Sequence, residues 1–191
     1  MKISLKIAAL AAAMQLSAVA QAAVVTFDAP PSDEFFGPSY SEAGLTFTSS
    51  SDNMFHWGAG SSLNADPVGD TMAENYGGNP INVALTAGGS FTLNAIDFAD
   101  VYNHGDVRTI HVNWTDATGS HTMQFNTDDH PGLQTVNFGY AGVTSFSVTG
   151  DNWFQMDNVT YSAMAVPEAG TTSMMLGGLA MLGIALRRRK A

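Results

Sequence analysis

Thr109-Ile110-His111-Val112-Asn113-Trp114-Thr115, then Asp116-Ala117-Thr118-Gly119, then Ser120-His121-Thr122-Met123-Gln124-Phe125, decides the fold class of this chain. Ile110, Val112 and Trp114 alternate with His111 and Asn113, and Met123 and Phe125 alternate with Thr122 and Gln124. Side chains on an extended chain point to opposite faces in turn, so period-two alternation marks a strand with one buried face. Asp116 to Gly119 between the runs is turn-forming. Trp114 keeps the phase of Ile110 and Val112 and reads as core.

The same grammar recurs outward from this segment. Val25 and Phe27, Leu45 and Phe47, Val136 and Phe138, Phe146 and Val148, and Phe154 and Met156 repeat the alternation. Gly-rich and Asn/Asp-rich breaks separate the runs, including Ala87-Gly88-Gly89 and Asp128-Asp129-His130-Pro131-Gly132. No stretch of the body has a long apolar pattern at helical spacing. Short strands joined by turns predict an all-β fold, an antiparallel β-sandwich. Two segments change phase: Phe91 and Leu93 are odd but Ile96 and Phe98 even, and Phe154 and Met156 are even but Val159 and Tyr161 odd. One extra residue in a strand produces such a shift, which predicts β-bulges at Asn94-Ala95 and Asp157-Asn158. A break between two short strands is the competing reading.

Both ends read as targeting segments. Lys2 and Lys6 precede an apolar run from Ile7 to Val19, and Ala20-Gln21-Ala22 forms an A-x-A cleavage site. This predicts a signal peptide over 1–22, removed by signal peptidase. At the other end Val166-Pro167-Glu168 leads into an apolar run, closed by Arg187-Arg188-Arg189-Lys190. The apolar run suits a bilayer, and the four cations stop transfer and stay cytoplasmic. A helix over Thr171 to Leu186 would span roughly 24 Å at about 1.5 Å per residue, near the lower limit for crossing.

Residues 165–191 resemble the PEP-CTERM sorting signal of Gram-negative surface proteins. The resemblance rests on Pro167 and Glu168, the apolar run and the basic cluster; it departs at Ala169, where that signal has a second proline. It implies an exosortase substrate: a protein held transiently in the inner membrane by a C-terminal transmembrane helix, then cut and passed to the cell surface or exterior. An uncut tail anchor is the alternative. The expected organisation is therefore signal peptide 1–22, β-sandwich 23–163 and sorting segment 164–191. Residues 79–161 resemble the bodies of PEP-CTERM proteins in Gly89-Ser90-Phe91-Thr92-Leu93, Ile96-Asp97-Phe98 and Phe154-Gln155-Met156-Asp157-Asn158-Val159. This implies a jelly-roll, galactose-binding-like domain.

The body is far more acidic than the whole chain. Between Ala23 and Ala163, Arg108 is the one basic residue against 16 Asp and Glu, a formal charge of −15. Nucleic-acid affinity comes from cations, so this composition excludes nucleic acid as a partner. The acids either keep an exported protein soluble or partly converge on Ca²⁺, which prefers oxygen ligands. The chain has no cysteine, which excludes disulfides and thiolate sites.

Candidate sites follow from chemistry and position. First and last strands lie together in folds of the resembled type, so Asp28 and Asp157 are the expected Ca²⁺ ligands; alternatively Asp157-Asn158 satisfies strained backbone locally. Ser49 to Asn79 reads as the longest irregular region. Long loops on a rigid scaffold carry contacts, so Trp57 and Tyr76, with Trp153, are the expected sugar-stacking residues; capping the core is their other reading. A carboxylate pair could hydrolyse a glycosidic bond, but the histidines lack zinc spacing and no Gly-x-Ser-x-Gly element is present. The expected function is a non-catalytic surface protein of the extracellular polysaccharide or biofilm matrix, glycan-binding or structural; a secreted carbohydrate-active hydrolase is the alternative.

Overall fold

The computed structural model describes residues 22–29, 34–50, 54–61, 64, 69–74, 79–101, 107–128, 130–163 and 178. Tyr76 and the sorting segment, apart from Gly178, lie outside them, as do residues 1–21. From 22 to 163 the described residues form strands, turns and bends without a helix.

The strands are β1 (Ala22–Val25), β2 (Glu34–Gly37), β3 (Ser39–Glu42), β4 (Leu45–Ser49), β5 (Met54–Trp57), β6 (Thr71–Glu74), β7 (Ile81–Leu85), β8 (Phe91–Asp100), β9 (Thr109–Asp116), β10 (Gly119–Asn126), β11 (Gln134–Val143), β12 (Ser145–Gly150) and β13 (Phe154–Ala163). They form two sheets. One is seven-stranded, in the order β11-β8-β13-β6-β5-β2 with β1 also on β13; the other is six-stranded, β10-β9-β12-β7-β4-β3. Every pairing is antiparallel. The expected antiparallel sandwich is what forms, with first and last strands paired at Val25 and Val159.

The apolar members of each alternation meet between the sheets. Phe27, Phe47, Phe91, Phe98 and Phe154 are fully buried, each adding roughly 1.5–3 kcal/mol of burial free energy. Phe27 meets Phe47 edge-on at 5.2 Å, and Phe91 meets Tyr161 at 5.8 Å.

Both expected bulges form, and β8 and β13 run through them unbroken. Asp157 pairs with Asp97 but Thr160 with Ala95, so β13 holds an extra residue there; Tyr161 then pairs with Leu93, so β8 holds one at Asn94. Phe91, Leu93, Ile96 and Phe98 all reach the core as a result. Next to β8, β11 has register shifts of its own between Asn137 and Val143. The irregularities thus lie side by side on three neighbouring strands, where they bend the sheet. Asn158 sits at φ 48°, at the point where the partner of β13 changes from β6 to β1.

The structure corrects one expectation. Ser49 to Asn79 is not one irregular stretch: it contains β5 and β6, which pair with each other. Their outer face is itself covered, since Thr71 and Ala73 are buried along with inward Met72. With both faces shielded, the sequence shows no alternation.

The sheets are tied at the β3–β4 turn. Tyr161 of β13 donates its hydroxyl hydrogen to the Ala43 carbonyl. Gly44 follows at φ 85°, and a Cβ there would stand 2.9 Å from the Tyr161 oxygen. Gly44→Ala is therefore expected to cost about 2–3 kcal/mol in a urea melt, from left-handed backbone strain plus the displaced tyrosine; a change under about 0.5 kcal/mol would contradict this role.

Candidate functional site

The inward residues Phe47, Val83, Val112 and Phe146 fix which side of the six-stranded sheet faces solvent. Their neighbours in the alternation point the other way. Thr46 and Thr48 on β4, Asn82 and Ala84 on β7, Asn113 and Thr115 on β9, and Ser145 and Ser147 on β12 therefore share the outer face, which forms a groove of about 360 Å³. Ser120 of β10 extends it. Cross-strand register places these side chains in rows: Thr46 opposite Ala84, Thr48 opposite Asn82, Ser147 between Asn82 and Asn113.

Hydrogen bonds hold the rows in place. Thr46 Oγ1 lies 2.8 Å from Thr86 Oγ1 and 2.9 Å from Ser41 Oγ. Thr122 Oγ1 donates to Asn113 Oδ1 at 2.8 Å. The groove lining has no Asp, Glu, Lys, Arg or His among the described residues. Hydroxyls donate and accept, and amides do both at separate atoms. Such a surface can match a hydroxyl-rich ligand.

The carboxylates lie elsewhere and are largely engaged. Asp116, at the β9–β10 turn, is held down to about 2 by the Thr118 hydroxyl and backbone N–H, then by His121. Glu42 accepts from the backbone of Thr26 and Phe27 and from the Tyr40 hydroxyl. Burial, and then Glu42 and Asp28, push Tyr40 above the usual phenol range.

Of the expected calcium ligands, Asp28 accepts from the Asp70 N–H at 2.9 Å. Asp157 is buried, with Oδ1 accepting from the Asn158 N–H and Oδ2 from the Asn158 side-chain amide. That amide also donates to Asp97. The two bonds between Asp157 and Asn158 are local, around a backbone at positive φ, and the bond to Asp97 crosses to β8. No group of three or more His, Asp or Glu suited to a metal occurs among the described residues.

Of the expected sugar-stacking residues, Trp57 sits on strand β5, not on a loop. It forms an edge-on row with Phe55 and Phe35, at 5.1 Å and 4.9 Å, on the seven-stranded sheet. Trp153 is half-buried just before β13. Neither lines the groove. Trp114 packs against the core as expected and also stacks on Tyr140 at 4.0 Å and His121 at 5.1 Å. Trp114 also borders the groove, with Val83 and Phe146. Sequence reading missed the groove because its polar residues are the spacers of the alternation. Their one legible signal is that they are uncharged in so acidic a body.

Fold and groove together define a β-sandwich module with an outer groove free of charged side chains. Solved structures similar to it are carbohydrate-binding modules of jelly-roll fold. "CBM32 of AlyQ in complex with 4,5-unsaturated mannuronic acid" is 16% identical, with a TM-score of 0.38, over 66% of this chain and 98% of that one. The C-terminal family 22 carbohydrate-binding module of Clostridium thermocellum Xyn10B is 9% identical, TM-score 0.41, over 74% and 92%. TmCBM61 in complex with β-1,4-galactotriose is 11% identical, TM-score 0.39, over 71% and 100%. Comparison with curated proteins gives no match. Residues 165–190 match the PEP-CTERM protein-sorting motif, which marks an exported protein.

Proposed function

We propose that this chain is an exported, non-catalytic module that holds polysaccharide strands at the cell surface, with the groove of the six-stranded sheet as its binding face. The observation that carries this reading is the lining of that groove. A body with 16 acids and one arginine keeps its concave face free of charged side chains: hydroxyls and amides line it, with Val83, Ala84, Trp114 and Phe146 between them. A neutral polysaccharide can exchange hydrogen bonds with such a face without desolvating an ion. Anionic polymers would meet the repulsion of the whole body. A hydrolase would need paired carboxylates where the chain docks, and this lining has none.

The sorting motif supports a fuller itinerary: entry through the signal peptide, a pause in the inner membrane at the C-terminal helix, and exosortase cleavage near Val166-Pro167-Glu168. Release or attachment would then place the domain in the extracellular polysaccharide or biofilm matrix. A glycan array on the secreted protein tests the ligand: binding confined to neutral polysaccharides supports the reading, and binding to uronic-acid polymers alone, or to nothing, removes it. Mass spectrometry of the same material is expected to show a chain beginning at Ala23 and lacking Arg187–Ala191; an intact basic terminus at the surface would count against processing. A Ca²⁺ ion at Asp28 and Asp157 remains a separate proposal. If it binds, a chelator lowers the melting midpoint; an unchanged midpoint excludes it.

A further inference from the structure

We infer that β10 is a self-association edge, along which a second copy of this chain adds its own β10 to the six-stranded sheet. Among the described residues five strands, β1, β2, β3, β10 and β11, pair on one side alone. β1, β2 and β3 are short, at four residues each, and β11 carries register shifts at positive-φ glycines 139 and 142. Shortness and bulges are the usual devices that keep a sheet edge from pairing with another molecule.

β10 has none of them. It is eight residues long and pairs with β9 from Gly119 to Asn126 without a register shift. Its sequence, Gly-Ser-His-Thr-Met-Gln-Phe-Asn, has no proline and no Asp, Glu, Lys or Arg. Among the described residues no strand lies on its other side.

Two further observations select a second copy as the occupant. The first is apolar surface. Met123 and Phe125 of β10 are only partly buried, as are Trp114, Phe138 and Tyr140 of the flanking strands. The core is thus left incompletely covered along this side, and a strand added there would cover it. The second is charge. At −15, two copies repel across most of their surface, and β10 is a strip without acidic side chains where one copy can approach another. Antiparallel pairing, about a two-fold axis near Thr122, sets the strip against itself as a closed dimer. The polar outer face would continue across the junction, because Thr122 and Asn126 already bond to Asn113 and Thr109 of β9. The two grooves would then lie on one continuous sheet.

Asp116 and Asp128 lie just beyond the two ends of the strip, and antiparallel pairing brings the Asp116 end of one copy to the Asp128 end of the other. Association should therefore strengthen with ionic strength as that repulsion is screened.

The absence of native cysteine makes the test direct. Single cysteines are placed in the full-length chain at the exposed β10 positions, Ser120→Cys, Thr122→Cys and Gln124→Cys, with Asn137→Cys on β11 as the control. The exported protein is oxidised at low and high salt. A disulfide-linked dimer is expected from at least one β10 position, at several-fold higher yield than from Asn137→Cys and rising with salt. Adding Gln124→Lys to the best cross-linking variant should reduce its dimer several-fold, with the melting midpoint unchanged. Equal yield at Asn137→Cys, or no dimer from any β10 position, overturns the inference.

Discussion

Glu42→Ala is expected to destabilise the body by about 3 kcal/mol, the largest single-residue loss outside the core. The Glu42 carboxylate accepts the backbone N–H of Thr26 at 3.0 Å and of Phe27 at 3.1 Å, and the Tyr40 hydroxyl at 2.5 Å. Phe27 is fully buried and sits at φ 57°, a conformation that costs a residue with a side chain roughly 1 kcal/mol or more. The carboxylate fixes that strained exit from β1 so that the Phe27 ring meets Phe47 and Tyr40. Removing it leaves three partly buried donors without their acceptor, at about 1 kcal/mol or more each. Glu42→Gln keeps one oxygen and should cost about half as much. Urea melts at neutral pH measure both, and a loss under about 0.5 kcal/mol for the alanine variant would contradict the clamp.

The same cluster gives a pH dependence. The Tyr40 hydroxyl titrates above its ordinary value, first because it is partly buried and then because Glu42 and Asp28 disfavour a second negative charge. Its folded value is raised above that of the unfolded chain, so the stability it contributes is complete below about pH 10 and lost as pH rises further. Wild type should therefore lose stability above pH 10 more steeply than Tyr40→Phe.

The second large effect concerns binding. Asn82→Asp combined with Asn113→Asp is expected to weaken neutral-glycan binding by about 10- to 100-fold, on about 1 kcal/mol or more for each lost donor contact. An amide and a carboxylate have nearly the same shape, but a carboxylate cannot donate. The double variant removes two donors and places charge where the native groove has none. The new carboxylate on β9 would still accept from Thr122, as Asn113 does at 2.8 Å, so the fold should be retained. Isothermal titration against a neutral polysaccharide reads the affinity, and a thermal melt checks the fold. Undiminished affinity would place the binding surface elsewhere.

The sandwich was legible wherever one strand face is buried and the other wet. Ile110-Val112-Trp114 and Leu45-Phe47 are such cases, and the phase changes at Asn94 and Asp157-Asn158 marked real bulges because a one-residue insertion reverses the faces. β5 and β6 were illegible for the converse reason. Met54 and His56 are buried inward while Phe55 and Trp57 are half-buried outward, so Met-Phe-His-Trp shows no contrast between faces. β2 and β3 are too short to show a period.

The groove was hidden differently. Thr46, Thr48 and Asn113 carry the evidence for strands by being the polar half of the alternation, and polar usually means solvated. Only the pairing of β4, β7, β12 and β9 in that order brings them into one concave face. Attention to aromatic residues pointed instead to Trp57 and Trp153, which lie off the groove.

Residue-resolved NMR titration of the body with a neutral oligosaccharide tests the central claim most directly. Amide shifts confined to the outward positions of β4, β7, β9 and β12, and insensitive to ionic strength, are the expected result. Shifts centred on Trp57, Phe55 and Phe35, with the groove silent, would contradict it.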